Sequence, residues 1–417
     1  MSKIIYQVFL RNYSKEGNFV ELIKNIPGLK RLGVEFIYLL PIHPIGEKSR
    51  KGTVGSPYSI KDYLEIDEAN GTLDELKELI DECHKYDLKI MLDMVYHHTS
   101  RDAVYIKDHP SWYIYKKGKL ANKIGDWSDI ADLELENEEV QNFLIDVLLH
   151  YTRLGVDAFR FDVASLIPTS FWKKAKREVL KIKEDMLFLG ESIELAFLEY
   201  VHSINEYGAT DEELFENGFD VLYAYDTFPF LKMYLKNELS IHELATKMQE
   251  QQRRNVNNGM RMHFLENHDQ NRIAGDVSNE QTLVNLIYLT TFLPGYFLLY
   301  AGQEYGFRHR PDLFEKDPII HETKNMNVFE VYRHALSLKK NIFSTFSNDY
   351  TVEALGENII KVTVNVADSR YIGLFNLGID GEYVDIEESE IRNLIDNKDY
   401  KLRDNKLFIE TPVIYLD

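Results

Sequence analysis

The sequence predicts an α/β fold: a (β/α)8 or TIM barrel with a small insertion after its third strand and a C-terminal antiparallel β domain. Short apolar runs alternate with helix-like stretches eight times before residue 345, and strands without long helices between them follow. The doubly wound sheet is the competing α/β architecture, and it would usually carry a glycine-rich phosphate loop after its first strand. Residues 11–14, Arg-Asn-Tyr-Ser, contain no glycine, which favours the barrel.

Three changes of pattern predict the domain organisation. We expect residues 1–99 and 136–345 to form the barrel, because the strand–helix alternation runs through both ranges. Residues 100–135 break this alternation with charged and aromatic residues, which predicts a small inserted domain. Residues 346–417 read as strands without long helices, which predicts a C-terminal β-sandwich domain.

The barrel strands are predicted from short apolar runs that end in polar residues. Near-continuous apolar runs are typical of parallel strands that are covered on both faces. The predicted barrel strands are Ile4–Leu10, Val34–Leu40, Lys89–Val95, Val156–Asp162, Met186–Leu189, Phe219–Tyr225, Met260–Leu265 and Tyr296–Ala301. The predicted strands of the C-terminal domain are Ile359–Val366, Tyr371–Leu377 and Leu407–Leu416.

Helices are predicted between these strands. Thr72 and Glu75 have the spacing of a capping box, which predicts that a helix begins directly after Thr72. Residues 19–32 read as one helix with Pro27 as a candidate kink, and residues 164–183 contain another.

Composition limits the classes of partner. The formal net charge of −20 at pH 7 opposes binding to nucleic acid and to anionic membranes. Cys83 is the single cysteine, so an intrachain disulfide is impossible. The sequence contains no run of about 18 apolar residues, so we expect no membrane-spanning helix. The first residues lack the apolar region of a signal peptide. We therefore expect a cytoplasmic protein without a membrane partner, and its oligomeric state stays open.

Arg160 and Asp162 end the fourth predicted strand. Residues two apart in a strand point to the same face, so these two side chains should project together. A nearby guanidinium lowers the pKa of a carboxyl, and we expect Asp162 to stay ionised for that reason. An ionised, fixed carboxylate is what a covalent glycosidase nucleophile needs. If only Arg160 and Asp162 are considered, the alternative to a catalytic nucleophile is an ion pair that only stabilises the fold.

Other polar residues also follow predicted strands, and active sites of α/β barrels lie at these strand ends. Glu191 follows the fifth strand, and adjacent strands lie about 4.8 Å apart. Retaining glycoside hydrolysis needs a nucleophile and an acid/base carboxyl about 5–5.5 Å apart. Asp162 fits the nucleophile and Glu191 fits the acid/base. Asp269, after the seventh strand, fits a third carboxylate that binds sugar hydroxyls, and His98 and His268 can hydrogen-bond hydroxyls of the same sugar.

Several segments, in this order, resemble the α-amylase family, glycoside hydrolase family 13. They are Gly33–Pro41, Pro57–Tyr63, Asp93–His98, Gly155–Asp162, Phe188–Ser192, Phe264–Asp269 and Gly302–Glu304. The resemblance covers about residues 1–345 and implies a barrel with an insertion after strand three and a C-terminal β-sandwich. It implies catalytic Asp162, Glu191 and Asp269. It also implies that Tyr58, at the position of a sugar-stacking tyrosine, binds substrate together with His98, Arg160 and His268.

The chain departs from the family pattern at a metal site. Many α-amylases carry a calcium-binding asparagine where this chain has His97, and calcium prefers oxygen ligands. Asp132 stands near where another calcium ligand would come, and alone it reads as a cap or a surface acid. We therefore expect no metal ligand and no cofactor, and a structural calcium ion is the alternative.

The resemblance implies a retaining glycoside hydrolase that acts on α-1,4-linked glucans such as maltodextrins and starch oligosaccharides. An α-glucosidase, a neopullulanase-like enzyme or a glucanotransferase of the same family is the alternative. Val163 directly follows the expected nucleophile, and in this respect the chain resembles family members that cleave α-1,6 bonds. A different class of protein, a catalytically inactive carbohydrate-binding barrel, would lack the catalytic acids that this chain retains.

Overall fold

The computed structural model describes residues 3–125, 127–319 and 323–417. Eight parallel strands close into a barrel in which each strand pairs with its neighbours in the sequence, and β1 pairs with β8. The predicted (β/α)8 barrel is confirmed. Its strands are β1 (Ile4–Val8), β2 (Phe36–Leu39), β3 (Lys89–Met94), β4 (Ala158–Phe161), β5 (Leu187–Gly190), β6 (Val221–Tyr223), β7 (Met260–His263) and β8 (Tyr296–Tyr300).

The barrel strands are short and buried on both faces. Every residue of β1, β2, β4 and β8 is buried, which explains why these strands read as largely apolar runs. The register of β3 and β4 places Asp93 directly opposite Arg160. The register of β4 and β5 places Phe161 opposite Gly190, so Asp162 and Glu191 each follow the last residue of neighbouring strands.

Helices connect the strands, and the capping box at Thr72 and Glu75 is confirmed by both of its hydrogen bonds. The single helix expected over residues 19–32 is wrong: it divides into two helices, with Pro27 in the first turn of the second. The helices are α1 (Leu10–Tyr13), α2 (Phe19–Ile23), α3 (Ile26–Leu32), α4 (Leu73–Lys85), α5 (Tyr105–Asp108), α6 (Glu138–Leu154), α7 (Thr169–Leu180), α8 (Leu195–Ser203), α9 (Asp211–Glu216), α10 (Phe228–Leu235), α11 (Ile241–Arg253), α12 (Ile273–Asp276), α13 (Glu280–Phe292) and α14 (Met326–Ile342).

The segment after β3 is built from short antiparallel strands. His98–Ser100 pairs with Ile130–Asp132, and this pairing places His98 opposite Asp132. Tyr115–Lys116 and Lys119–Leu120 form a separate small hairpin. Residues of this segment therefore return to the end of β3 by strand pairing.

The C-terminal region is antiparallel β structure, as expected. Four strands form one sheet in the order β9-β10-β11-β16, and two strand pairs, β12 with β15 and β13 with β14, accompany it. These strands are β9 (Asp349–Leu355), β10 (Ile359–Val366), β11 (Ser369–Asn376), β12 (Glu382–Asp385), β13 (Glu390–Asn393), β14 (Lys398–Lys401), β15 (Lys406–Ile409) and β16 (Val413–Leu416).

The chain divides into two compact units. One comprises Tyr6–Tyr223 with Pro311–His321, and the other comprises Met1–Ile5, Ala224–Arg310 and Glu322–Asp417. The predicted domain boundaries at residues 99, 135 and 345 stay a prediction. Among the described helices, none combines the length and apolar character that crossing a bilayer requires.

Candidate active site

A wholly buried arginine holds three carboxylates in the first unit. Nη1 of Arg160 donates to Oδ1 of Asp93 at 2.7 Å and to Oδ1 of Asp162 at 3.0 Å. Nη2 of Arg160 lies 3.0 Å from Oε2 of Glu191, an ion pair without hydrogen-bond alignment. The structure therefore brings the predicted residues Arg160, Asp162 and Glu191 together, and it adds Asp93.

Two tyrosines complete the surroundings of Asp93. The hydroxyls of Tyr38 and Tyr58 donate to Oδ2 of Asp93 at 2.6 Å and 2.9 Å. The rings of Tyr58 and Tyr223 lie 5.7 Å and 5.5 Å from the guanidinium carbon of Arg160, within the range of cation–π attraction. Tyr58, a predicted substrate-binding residue, is thus fixed through both its hydroxyl and its ring.

The turn after β4 ties Glu191 to the segment that carries Asp162. Val163 adopts a left-handed backbone conformation with φ at +39°, which costs a branched residue about 1–3 kcal/mol. Its N–H donates to Oε2 of Glu191 at 3.0 Å, and the N–H of Ala164 donates to the carbonyl of Glu191 at 2.9 Å. The strained turn therefore fixes the position of the Glu191 carboxyl.

The expectation that Arg160 keeps the pKa of Asp162 low is wrong. Burial raises the pKa of Asp162 well above its usual range; Arg160 lowers it, but Glu191 and Asp93 raise it further. One guanidinium cannot neutralise three nearby carboxylates, so ionising the last of them is unfavourable. At Asp162, burial and the two neighbouring carboxylates therefore outweigh the attraction of Arg160.

His98 belongs to a second cluster of buried polar residues in the same unit, together with His97 and Asp132. Burial lowers the pKa of His98 to about 4, although a hydrogen bond to the backbone of Tyr58 raises it. Nδ1 of His98 is 3.2 Å from Nδ1 of His97, which lies 3.8 Å from Oδ1 of Asp132. Asp132 is 1% exposed, so its interpretation as a surface acid is wrong; the strand pairing with His98 draws it inside. Burial raises the pKa of Asp132 to about 7.

The calcium site that the family resemblance implies does not fit these side chains. Calcium takes about six to eight oxygen ligands. His97, His98 and Asp132 offer two imidazole nitrogens and one carboxylate within 4.8 Å of one another. Imidazole nitrogens suit zinc and other transition ions rather than calcium.

The second unit carries the two remaining predicted residues after β7. Nε2 of His268 lies 3.0 Å from Oδ2 of Asp269, and the Asp269 side chain is 40% exposed while that of His268 is buried. The neighbouring Glu266 is fully buried, where it pairs with Nη1 of Arg272 at 2.7 Å and accepts the N–H of Ile273 at 2.6 Å. The Glu266–Arg272 pair therefore anchors the loop that carries His268 and Asp269.

Sequence reasoning assigned no role to Asp93, Tyr38 or Tyr223. Asp93 was visible as an acid directly after three apolar residues of a strand, and a buried acid of this kind needs a cation or hydrogen-bond donors. Its partner could be found only from the register of β3 and β4, which sequence does not specify. Tyr38 and Tyr223 carry no sequence signal beyond their places in buried strands.

Replacing Arg160 by methionine should destabilise the fold strongly. The substitution leaves Asp93, Asp162 and Glu191 without their cation, and breaking a buried ion pair costs about 3–5 kcal/mol. Urea denaturation at pH 7 measures the loss. The matched control is Arg177→Met at an exposed ion pair, which we expect to change the free energy of unfolding by at most about 0.5 kcal/mol. Equal stability of Arg160→Met and Arg177→Met would contradict the role of Arg160.

Comparison with models of protein families identifies the family of this chain. The family model described as Alpha amylase, catalytic domain, matches residues 8–128 and 125–349.

Solved structures match over the whole chain. An α-amylase from Lactobacillus plantarum is 34% identical with a TM-score of 0.94, and the match covers 100% of this chain and 98% of that chain. A noncanonic maltogenic α-amylase from Thermotoga neapolitana is 25% identical with a TM-score of 0.88, at the same coverage of both chains.

A curated relative matches over a shorter range. The maltogenic α-amylase of Bacillus acidopullulyticus is 33% identical over 198 residues, which cover 42% of this chain. The match spans 32% of that relative, about a third of its length.

Proposed function

Because the chain belongs to the α-amylase family of glycoside hydrolases, we propose that it hydrolyses α-1,4-linked glucans of maltodextrin size with retention of anomeric configuration. The observation that carries this proposal is the pair Asp162 and Glu191, which follow neighbouring strands and bind the same buried guanidinium. Retaining hydrolysis needs two carboxyl groups that lie close together, and a shared arginine keeps both in place.

In the proposed mechanism, Asp162 attacks the anomeric carbon while Glu191 donates a proton to the glycosidic oxygen. The bond between that carbon and that oxygen breaks, the shortened glucan leaves with the proton, and the sugar stays covalently bound to Asp162. Glu191, now ionised, takes a proton from water, and the resulting hydroxide attacks the anomeric carbon and releases Asp162. The configuration inverts twice and is therefore retained.

This division of roles depends on Arg160, which favours the ionised form of Asp162. The mechanism needs one ionised carboxyl and one protonated carboxyl in the same site at the same time. Arg160 lowers the pKa of Asp162 against the effect of burial, and the reactive form is the one in which Asp162 is ionised and Glu191 carries the proton. Arg160 touches both groups, so it stabilises whichever of them carries the negative charge.

The remaining predicted residues have proposed roles in binding sugar. Tyr58 presents a ring that is fixed by Asp93 and Arg160 and can stack on a sugar face. Asp269 is partly exposed and held by His268, and we propose from the family resemblance that Asp269, His268 and His98 each bind sugar hydroxyls. Asp269 also favours the positively charged transition state through its own negative charge.

Relatives in this family support an α-glucan substrate, since the matched proteins are an α-amylase and maltogenic α-amylases. An α-glucosidase, a neopullulanase-like enzyme and a glucanotransferase share the same covalent intermediate. They differ in substrate length, in linkage, or in whether water or a sugar accepts the glycosyl group.

A timed product analysis on maltoheptaose and pullulan tests the proposal. We expect short maltodextrins from maltoheptaose, and proton NMR should show the α-anomer of the new reducing end before mutarotation. The β-anomer as first product would contradict retention. Glucose alone would indicate an α-glucosidase, products longer than the substrate a transferase, and cleavage of pullulan a neopullulanase-like enzyme. No turnover on any α-glucan would support the inactive carbohydrate-binding alternative.

A further inference from the structure

Three buried side chains near the end of β3 converge on one point. His97, His98 and Asp132 are each less than 7% exposed, and one ligand atom from each lies within 4.8 Å of the other two. The two histidines approach through their Nδ1 atoms, 3.2 Å apart, and Oδ1 of Asp132 lies 3.8 Å from Nδ1 of His97.

These separations match the ligand spacing around a small transition ion. Zinc binds histidine nitrogen and aspartate oxygen at about 2.0–2.2 Å in tetrahedral geometry, which places its ligands about 3.3 Å from one another. The distance between the two imidazole nitrogens already has this value, and the distance to the carboxylate exceeds it by about half an ångström. The ligand atoms of His98 and Asp132 lie within 4.8 Å of each other, so zinc binding would draw the Asp132 carboxylate toward the two imidazoles.

The polar atoms of the cluster are incompletely satisfied by the protein. Oδ2 of Asp132 accepts the N–H of Lys123 at 2.6 Å, but Oδ1 has no hydrogen-bond partner among the described residues. Buried carboxylate oxygens normally have partners, because an unpaired one is costly. Two facing Nδ1 atoms can share only one proton, whereas a cation would engage both lone pairs and the carboxylate together.

We propose that His97, His98 and Asp132 bind a divalent first-row transition ion, with Zn²⁺ as the best match to two imidazole nitrogens and one carboxylate. The ion would join the end of β3 to the strand Ile130–Asp132, which pairs with His98–Ser100. The ring of Trp127 packs 6.2 Å from His97 and 6.0 Å from His98 and shields this point. His98 belongs both to this site and to the proposed sugar-binding residues, but the test of the site is metal binding rather than turnover, so the two proposals can fail separately.

Metal analysis of the untagged full chain tests the proposal first. After incubation with zinc chloride and dialysis, plasma mass spectrometry should find about one zinc per chain. Zinc should raise Tm by several degrees, EDTA should reverse the rise, and calcium chloride should leave Tm unchanged. Less than a tenth of an equivalent of zinc, or a Tm that responds to calcium and not to zinc, would overturn the proposal.

Variants separate this site from zinc held by surface histidines. His97→Asn and Asp132→Asn should each weaken zinc affinity at least about tenfold, measured by competition with a chromogenic chelator. His242→Asn, at an exposed histidine of α11, should keep wild-type affinity. Circular dichroism of the metal-free variants checks that they fold, and a variant that fails this check is replaced by His97→Gln. Unchanged affinity in folded His97 and Asp132 variants, or loss of zinc in His242→Asn, would refute the assignment.

Discussion

Asp162→Asn should reduce kcat on maltoheptaose by at least about 10⁴-fold, the scale of loss seen when a covalent nucleophile is removed. Asparagine keeps the volume of the side chain and can still accept a hydrogen bond from Arg160, but its amide cannot form the glycosyl-enzyme bond. The matched control is Asp185→Asn, at an exposed aspartate that pairs with Lys89. We expect wild-type kcat from this control. A loss below about tenfold in Asp162→Asn would show that another group is the nucleophile.

The same variant reports on the electrostatics of the cluster. Burial raises the pKa of Asp162 in the folded protein, whereas an aspartate in the unfolded chain has a pKa of about 3.9. This carboxyl therefore stabilises the fold fully only below about pH 3.9, and that stabilisation is lost as pH rises through the folded-state pKa. Asparagine does not titrate, so the Tm of Asp162→Asn relative to wild type should increase from pH 5 to pH 8. A difference that stays constant would contradict the raised pKa.

Glu191→Gln should reduce kcat on maltoheptaose by about 10²–10⁴-fold, because glutamine cannot protonate the leaving oxygen. The loss should depend on the leaving group. An aryl α-maltoside releases an acidic phenol that needs little protonation, so bond cleavage should be nearly as fast as in wild type. The second step still lacks a base, and a burst of phenol followed by slow turnover should appear in stopped-flow absorbance.

The control for this variant is Glu184→Gln, at an exposed glutamate shortly before β5. It should show wild-type rates on both substrates, since its side chain lies among exposed residues at the entrance of the strand. Equal losses on maltoheptaose and on the aryl α-maltoside, without a burst, would contradict the acid/base role of Glu191.

Local patterns in the sequence were enough to predict the architecture. A parallel barrel strand is covered on both faces, so each strand leaves a short apolar run such as Phe36–Leu39. A capping box is a contact between residues three apart, so Thr72 and Glu75 could be read directly. The helix break at Pro27 was harder to predict, because a proline kink and a proline in the first turn of a new helix leave the same sequence signal.

The predicted site residues depended on the same local rules. Arg160 lies in β4, Asp162 directly follows β4, and Glu191 directly follows β5. The convergence of the two carboxylates on the Arg160 guanidinium therefore follows from strand geometry. The family resemblance added the proposed roles of these residues and of Asp269, and these roles stay predictions until the variants are measured.

By itself, the sequence determined the α/β barrel and the C-terminal β strands, because these depend on periodicity along the chain. Only the tertiary structure decided that Asp93 joins Arg160 and that Asp132 meets His97 and His98, because strand register brings together residues far apart in sequence. It also decided the direction of the Asp162 pKa. A charge pair read from sequence shows the attraction to one partner, whereas burial and the other nearby carboxylates exist only in the folded chain.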